Sequence, residues 1–324
     1  MRGVRLKGSK PSKKHHWWPV ALQSHWDDHN GNVWWIEPDG KIGKVRSANR
    51  KIGLKFHGHT IFHGTQFVTN FESEFDIDDK IHSVIKSLQA LKPIGTSVSD
   101  FAYLIKQLFK RDRDLRDICR FYDLDQKLHR DLLLLIMSLL IRSPANRFRY
   151  ESYPGLIGLP PNEEVGKMNM MNAYRSAKDI CLYGSLSNQH FVILRAGFRN
   201  FICGDGVLDW LSANVNGRSL NGRALIPLTP RICIYFCTPM SMRSSPNCAV
   251  LNAAPWMVDW INDITQTYSK DQLFYRYQRP QLTEAFKRGE FLAHGKRSDA
   301  LLYMLDELAG IPRSNPSQIS AVRW

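Results

Sequence analysis

Histidine is concentrated at the start of the chain: His15, His16, His25, His29, His57, His59 and His63 are seven of eleven. An imidazole titrates near neutral pH, so His15 and His16, adjacent in Lys14-His15-His16-Trp17-Trp18-Pro19, are candidate general acid/base groups. The cluster His57-Gly58-His59-Thr60-Ile61-Phe62-His63 sets two imidazoles at i, i+2 on one strand face, with a third able to arrive from the following turn, as a metal site would need. Its spacing fits no established zinc pattern and no cysteine lies nearby, so these three read as exposed or hydrogen-bonded loop histidines. Farther along, Arg142, Arg147 and Arg149 follow one another where a helix has just ended. Arg142 and Arg147 would steady a phosphate by bidentate pairing, or serve only to complement the helix dipole. Asp205, in Phe201-Ile202-Cys203-Gly204-Asp205-Gly206-Val207, ends an apolar strand. A carboxylate there suits binding of a divalent cation, Mg²⁺ or Mn²⁺, or orientation of a water, although Gly-Asp-Gly is also ordinary turn chemistry.

Five of nine tryptophans (Trp17, Trp18, Trp26, Trp34 and Trp35) fall in the same early region. Trp17 and Trp18, among cations, are candidates to stack on nucleic-acid bases; the alternative is burial, with adjacent tryptophans facing opposite sides of a sheet. Cys233 and Cys237 share a strand face, but four residues of strand span about 13 Å, too far for one zinc, so they read as core thiols. No GxxxxGK[ST], GxSxG or HExxH pattern occurs, which removes support for the enzyme classes those motifs mark.

The chain has 324 residues, 43% hydrophobic and 23% charged, an ordinary folded composition that allows two or three domains or one large one. Its net charge is +14, and residues 1–65 hold 12 basic against 4 acidic side chains. An excess so placed points to a polyanionic partner, nucleic acid first, with a solvated basic tail as the alternative. Residues 1–16 lack the apolar run of a secretion signal. The most apolar stretch, Leu132 to Ile141, is half the roughly 20 residues that span a bilayer. With six scattered cysteines, this reads as a cytoplasmic protein with reduced thiols and no membrane partner.

The elements that must position these groups follow from periodicity. Asn32 to Ile36 and Ile42 to Arg46 read as a hairpin turned at Asp39-Gly40. Ile77 to Leu91, Phe101 to Phe109 and Leu124 to Leu139 carry apolar residues at helical spacing, the last halted by Ser143-Pro144, and a fourth helix spans about Asn162 to Leu186. Strands return at Phe191 to Arg195, Phe201 to Cys203, Arg231 to Cys237 and Leu273 to Tyr277, with helices at Ala254 to Tyr268, Leu282 to Arg288 and Asp299 to Leu308. The expected class is α+β, with a mixed or antiparallel sheet built from N- and C-terminal segments and a helical layer or subdomain from the middle. The organisation expected is a basic arm over 1–14, one α+β domain over 15–310 with a helical insert at about 72–186, and a polar tail over 311–324.

The motif set Lys14-His15-His16-Trp17-Trp18-Pro19, Val33-Trp34-Trp35-Ile36, Arg142-Ser143-Pro144, Asp205, Ile226-Pro227-Leu228-Thr229-Pro230 and the Asn262 helix resembles the bacterial domain of unknown function 4238 family over about residues 13–280. The opening fits. The strand-end motif keeps its acid and valine in Asp205 and Val207 but lacks the family's hydroxyl and proline. The resemblance implies Asn262 as a further substrate-binding residue and a setting in antiphage defence. Combined with the residue chemistry, it leads to one expectation of a phosphodiesterase or nuclease using His15, His16, Asp205, Arg142 and Arg147. A second is a non-catalytic binding or sensor protein for nucleic acid or a phage component. A third is that His16, Arg142 and Asp205 form a structural polar network.

Overall fold

The structure, a computed structural model, describes residues 13–49, 51–108, 114–184, 188–214, 219–238, 246–292 and 300–309. All but the end of the expected basic arm, and the whole polar tail, lie outside these residues.

From the N-terminus, β1 (Lys14–His16) is followed by a short helix α1 (Val20–Gln23), a hairpin of β2 (Asn32–Ile36) and β3 (Ile42–Arg46), then β4 (Leu54–Phe56), which pairs antiparallel with β1. The hairpin turns at Asp39-Gly40 as its sequence predicts: the Asp39 side chain accepts from the Lys41 N–H, and Gly40 adopts φ +86°. A second hairpin, β5 (Thr60–His63) and β6 (Gln66–Asn70), leads into the helical middle of the chain.

That middle comprises α2 (Ile81–Ala90), α3 (Val98–Leu108), a short strand β7 (Arg120–Tyr122), α4 (Gln126–Arg142), α5 (Pro144–Ser152) and α6 (Glu163–Tyr183). Asp125 and Asn162 cap α4 and α6 by accepting from Leu128 and Val165 N–H groups. The segment after α4, expected to be a loop, is instead helical. Ser143 closes α4 and caps α5, accepting from the Asn146 N–H, and Pro144 takes the first helical position, where its missing N–H costs nothing. One dipeptide thus ends one helix and starts another.

The remaining strands are β8 (His190–Ala196), β9 (Cys203–Gly204), β10 (Leu208–Asp209), β11 (Ser212–Asn214), β12 (Ser219–Asn221), β13 (Arg223–Thr229), β14 (Ile232–Cys237), β15 (Cys248–Ala253) and, after α7 (Pro255–Tyr268), β16 (Leu273–Tyr275). Two helices, α8 (Glu284–Lys287) and α9 (Ala300–Leu308), follow. The fold is α+β. A six-stranded sheet of order β10-β13-β14-β8-β15-β7 is antiparallel except for the β8–β15 pair, and a four-stranded sheet of order β3-β2-β16-β9 is antiparallel throughout. The four-stranded sheet is the one that joins N-terminal to C-terminal segments. The larger sheet comes from residues 120–253, and β7, inside the expected helical insert, is its edge.

Both faces of the larger sheet are buried, which is why its strands read as unbroken apolar runs. Phe191, Ile193, Ile226, Ile234 and Val250 face α2 and α4; Val192, Leu194, Tyr235 and Leu251 face α7 and α9. Cys233 and Cys237 lie on the latter face, and all six cysteines are buried and free. Among the described residues no helix is long and apolar enough to cross a membrane.

Candidate functional site

The sequence motifs do meet in space, but around an apolar cavity. Trp17 and Trp18 after β1, Ser143 after α4, Gly204 and Gly206 on either side of Asp205, and Pro227 of β13 line one hollow of about 30 Å³. That volume holds a water or two and no nucleotide. The two glycines are required by close approach of the end of α7: a Cβ at Gly206 would lie 1.9 Å from the Tyr268 carbonyl oxygen, and one at Gly204 1.8 Å from Ser269 Oγ. Gly-Asp-Gly is therefore packing chemistry.

The charged tips turn away from this hollow. Arg142 is fully buried and donates two hydrogen bonds of 2.8 and 2.7 Å to the Asp78 carboxylate, others to the Ser138 hydroxyl and carbonyl, and a longer one of 3.4 Å to the His16 carbonyl. Its guanidinium also lies 4.3 Å from the Phe75 ring centre. Asp205 is buried and accepts from the Lys270 and Asp271 N–H groups, both at 2.9 Å, so it closes the turn between α7 and β16. Burial raises its pKa to about 6 against the opposing pull of those two hydrogen bonds. Arg147, also buried, donates to the Gly58 carbonyl. Asn262 bridges the Ile202 N–H and the Asn200 carbonyl. Trp18 is core, its ring 4.5 Å from that of Phe274, whereas Trp17 is half-buried beside it.

A different set gathers where β1 meets the β4–β5 turn. His57 adopts φ +53° there, and its N–H and carbonyl bond to Lys13 and Thr60, so the chain reverses sharply after β4. The reversal brings the His59 N–H to 2.6 Å from His15 Nδ1, and the two imidazoles stack with centres 5.1 Å apart and planes 2° from parallel. Glu72, just past β6, is positioned by its own N–H on Asn70 Oδ1 and touches His59 Nδ1 with its carboxylate. Asn70 Nδ2 lies 3.2 Å from His15 Nε2. Each of His15, His59 and Glu72 offers one ligand atom, and these lie within 4.8 Å of one another.

The electrostatics of this cluster follow from its depth. His59 is held well below the usual imidazole pKa, first by burial and then by the cations Arg142 and Arg147. Burial and these cations favour its neutral form, while the Glu72 carboxylate at Nδ1 opposes them. Burial raises the Glu72 pKa, opposed by His15, Arg142 and His16. Of the three histidines read from sequence as exposed or loop residues, His63 is exposed and His57 half-buried, but His59 is fully buried. The strand face expected for His57 and His59 is absent, since both lie in the turn between β4 and β5, and the partnership of His59 with His15 and Glu72, 44 and 13 residues away, had no signal in the local spacing.

No protein-family model, curated protein or solved structure matches the chain. The resemblance to the family of unknown function therefore rests on its motifs alone, and function is argued from the sites.

Proposed function

We propose that the protein binds nucleic acid as a non-catalytic recognition or sensor protein, in the cytoplasm to which its cysteine usage points and in the antiphage setting that the motif resemblance implies. The observation that carries this reading is the exposed β3 edge of the four-stranded sheet. On β3, the edge of that sheet among the described residues, Lys44 and Arg46 are exposed, and the Lys44 ammonium lies 4.8 Å from the ring centre of Trp34 on β2. Arg279 packs beside the hairpin turn at Gly40, and Tyr277 is exposed with the Arg276 guanidinium 4.7 Å from its ring centre. Aromatic rings beside cations suit a single strand, whose bases stack while its phosphates are neutralised. This edge supports binding through Lys44 and Arg46, with Tyr277 as an exposed ring beside a cation; Trp34, whose indole N–H donates to Asp28, and the expected Trp17, Trp18, Arg142 and Arg147 are engaged within the fold.

A labelled oligonucleotide titrated with protein at 50 and 200 mM salt tests the reading. Affinity that falls steeply with salt, without strand cleavage in Mg²⁺ or Mn²⁺, is the expected result. Absence of binding to DNA and RNA overturns it. One observation favours the second reading, a phosphodiesterase or nuclease: Glu72 lies against Nδ1 of His59 as a carboxylate that orients a catalytic imidazole would, and substrate access to the buried Nε2 would require the cluster to open. Divalent-cation-dependent cleavage abolished by Glu72→Gln would establish it.

A further inference from the structure

We propose that His15, His59 and Glu72 form a binding site for a divalent transition-metal ion, zinc being the best match. The donor set carries the choice of ion. Two imidazoles and a carboxylate suit zinc, whereas Mg²⁺ prefers oxygen ligands and retains its waters. Zinc takes such ligands at about 2.0–2.2 Å, which puts donor atoms roughly 3–3.5 Å apart in a tetrahedral shell. The three donors already lie within 4.8 Å of one another, and to free a lone pair for the ion His15 would give up either the hydrogen bond that its Nδ1 accepts from the His59 N–H or the contact of its Nε2 with Asn70.

A second observation points the same way. His59 is fully buried and its Nε2 meets no hydrogen-bond partner. Buried polar atoms are normally satisfied, so the packing around this imidazole leaves part of its bonding capacity unspent. The backbone supplies the rigidity a site needs. His15 is fixed in the β1–β4 pair, His59 by the Phe71 N–H on its carbonyl, and Glu72 by the Asn70 side chain.

The positive field of Arg142 and Arg147 at His59 opposes a cation, and nearby carboxylates offset it. Arg142 faces the cluster with its charge offset by Asp78, Arg147 lies near Glu151 and Glu163, and Glu72 brings a negative charge to the ion. The ion would tie together three segments that pair only through short strands, β1, the turn before β5, and the start of the helical region after β6. This site stands apart from the nucleic-acid face on β3, and neither proposal depends on the other.

The test is equilibrium dialysis of the chelator-treated full-length protein against zinc chloride, with metal counted by mass spectrometry. One zinc per chain is expected, binding at least tenfold weaker in Glu72→Gln and His15→Ala, and unchanged in His25→Ala, which alters the separate exposed His25–His82 pair. A rise in Tm of the wild-type protein on zinc addition, absent with Mg²⁺, is the companion readout and does not depend on any variant folding. Failure of the wild-type chain to retain zinc, or retention undiminished in a folded Glu72→Gln protein, overturns the proposal.

Discussion

Arg142 shows what a buried cation asks of its neighbours. Its guanidinium is fully buried, and the Asp78 carboxylate that neutralises it is itself partly open to solvent. Removing the carboxylate strands the charge in a medium that solvates it poorly, so Asp78→Asn should cost about 3 kcal/mol in urea unfolding, even with Ser138 and the His16 carbonyl still accepting. Asp205 poses the opposite case, a buried acid held only by backbone N–H groups. Its folded pKa of about 6 lies above the roughly 3.9 of an unfolded aspartate, so the folded state holds the proton more tightly. Its favourable contribution is fully present below about pH 4 and is lost as pH rises through about 6. The stability of the wild-type protein relative to Asp205→Asn should therefore fall by on the order of 2 kcal/mol between pH 4 and 7, read from denaturation curves at each pH. A flat difference would show that the carboxylate titrates normally.

Elements, not single residues, decide which of the early aromatic and basic groups meet solvent. The β2–β3 hairpin alternates, so Trp34 pairs with Lys44 on one face while Trp35 opposes Gly43 on the other, where a Cβ at Gly43 would lie 2.0 Å from the Trp35 ring. The cations of β3 are thereby left outward. If they neutralise phosphates, the double variant Lys44→Ala/Arg46→Ala should lower the slope of log affinity against log salt by about 1.4 for a single strand while leaving unfolding nearly unchanged. A slope equal to that of the wild type would move the binding surface elsewhere. The same reasoning explains why helix periodicity placed α2, α4, α6, α7 and α9 well, yet Ser143-Pro144 was read as a stop only. Proline after a capping serine both terminates and initiates, and the choice depends on whether the following residues find partners, as Asn146 does on the Leu140 carbonyl and Asp209.

At the scale of the whole molecule, Trp18 links the two sheets. It packs on Phe274 of β16 and on Trp26, whose indole N–H donates to the Leu228 carbonyl of β13. Trp18→Ala should destabilise the protein by about 4 kcal/mol, yet preserve salt-dependent oligonucleotide binding at temperatures where the variant remains folded, the reverse of what a base-stacking residue would show. Composition, charge asymmetry, the α+β class and most helices were legible from sequence, because hydrophobic periodicity and turn chemistry are local properties. The residues expected to act together were not legible as one site: His15 meets His59, Arg142 meets Asp78, and Asp205 closes the turn before β16. Their roles were not legible. Whether Arg142 meets a phosphate or Asp78, and whether His59 lies in solvent or against His15 and Glu72, depends on contacts between segments far apart in the chain. The sequence by itself determined which residues carry charge, proton affinity and apolar surface; only the tertiary structure decided which were desolvated together, and desolvation is what turns a histidine or an arginine from a solvated side chain into a site.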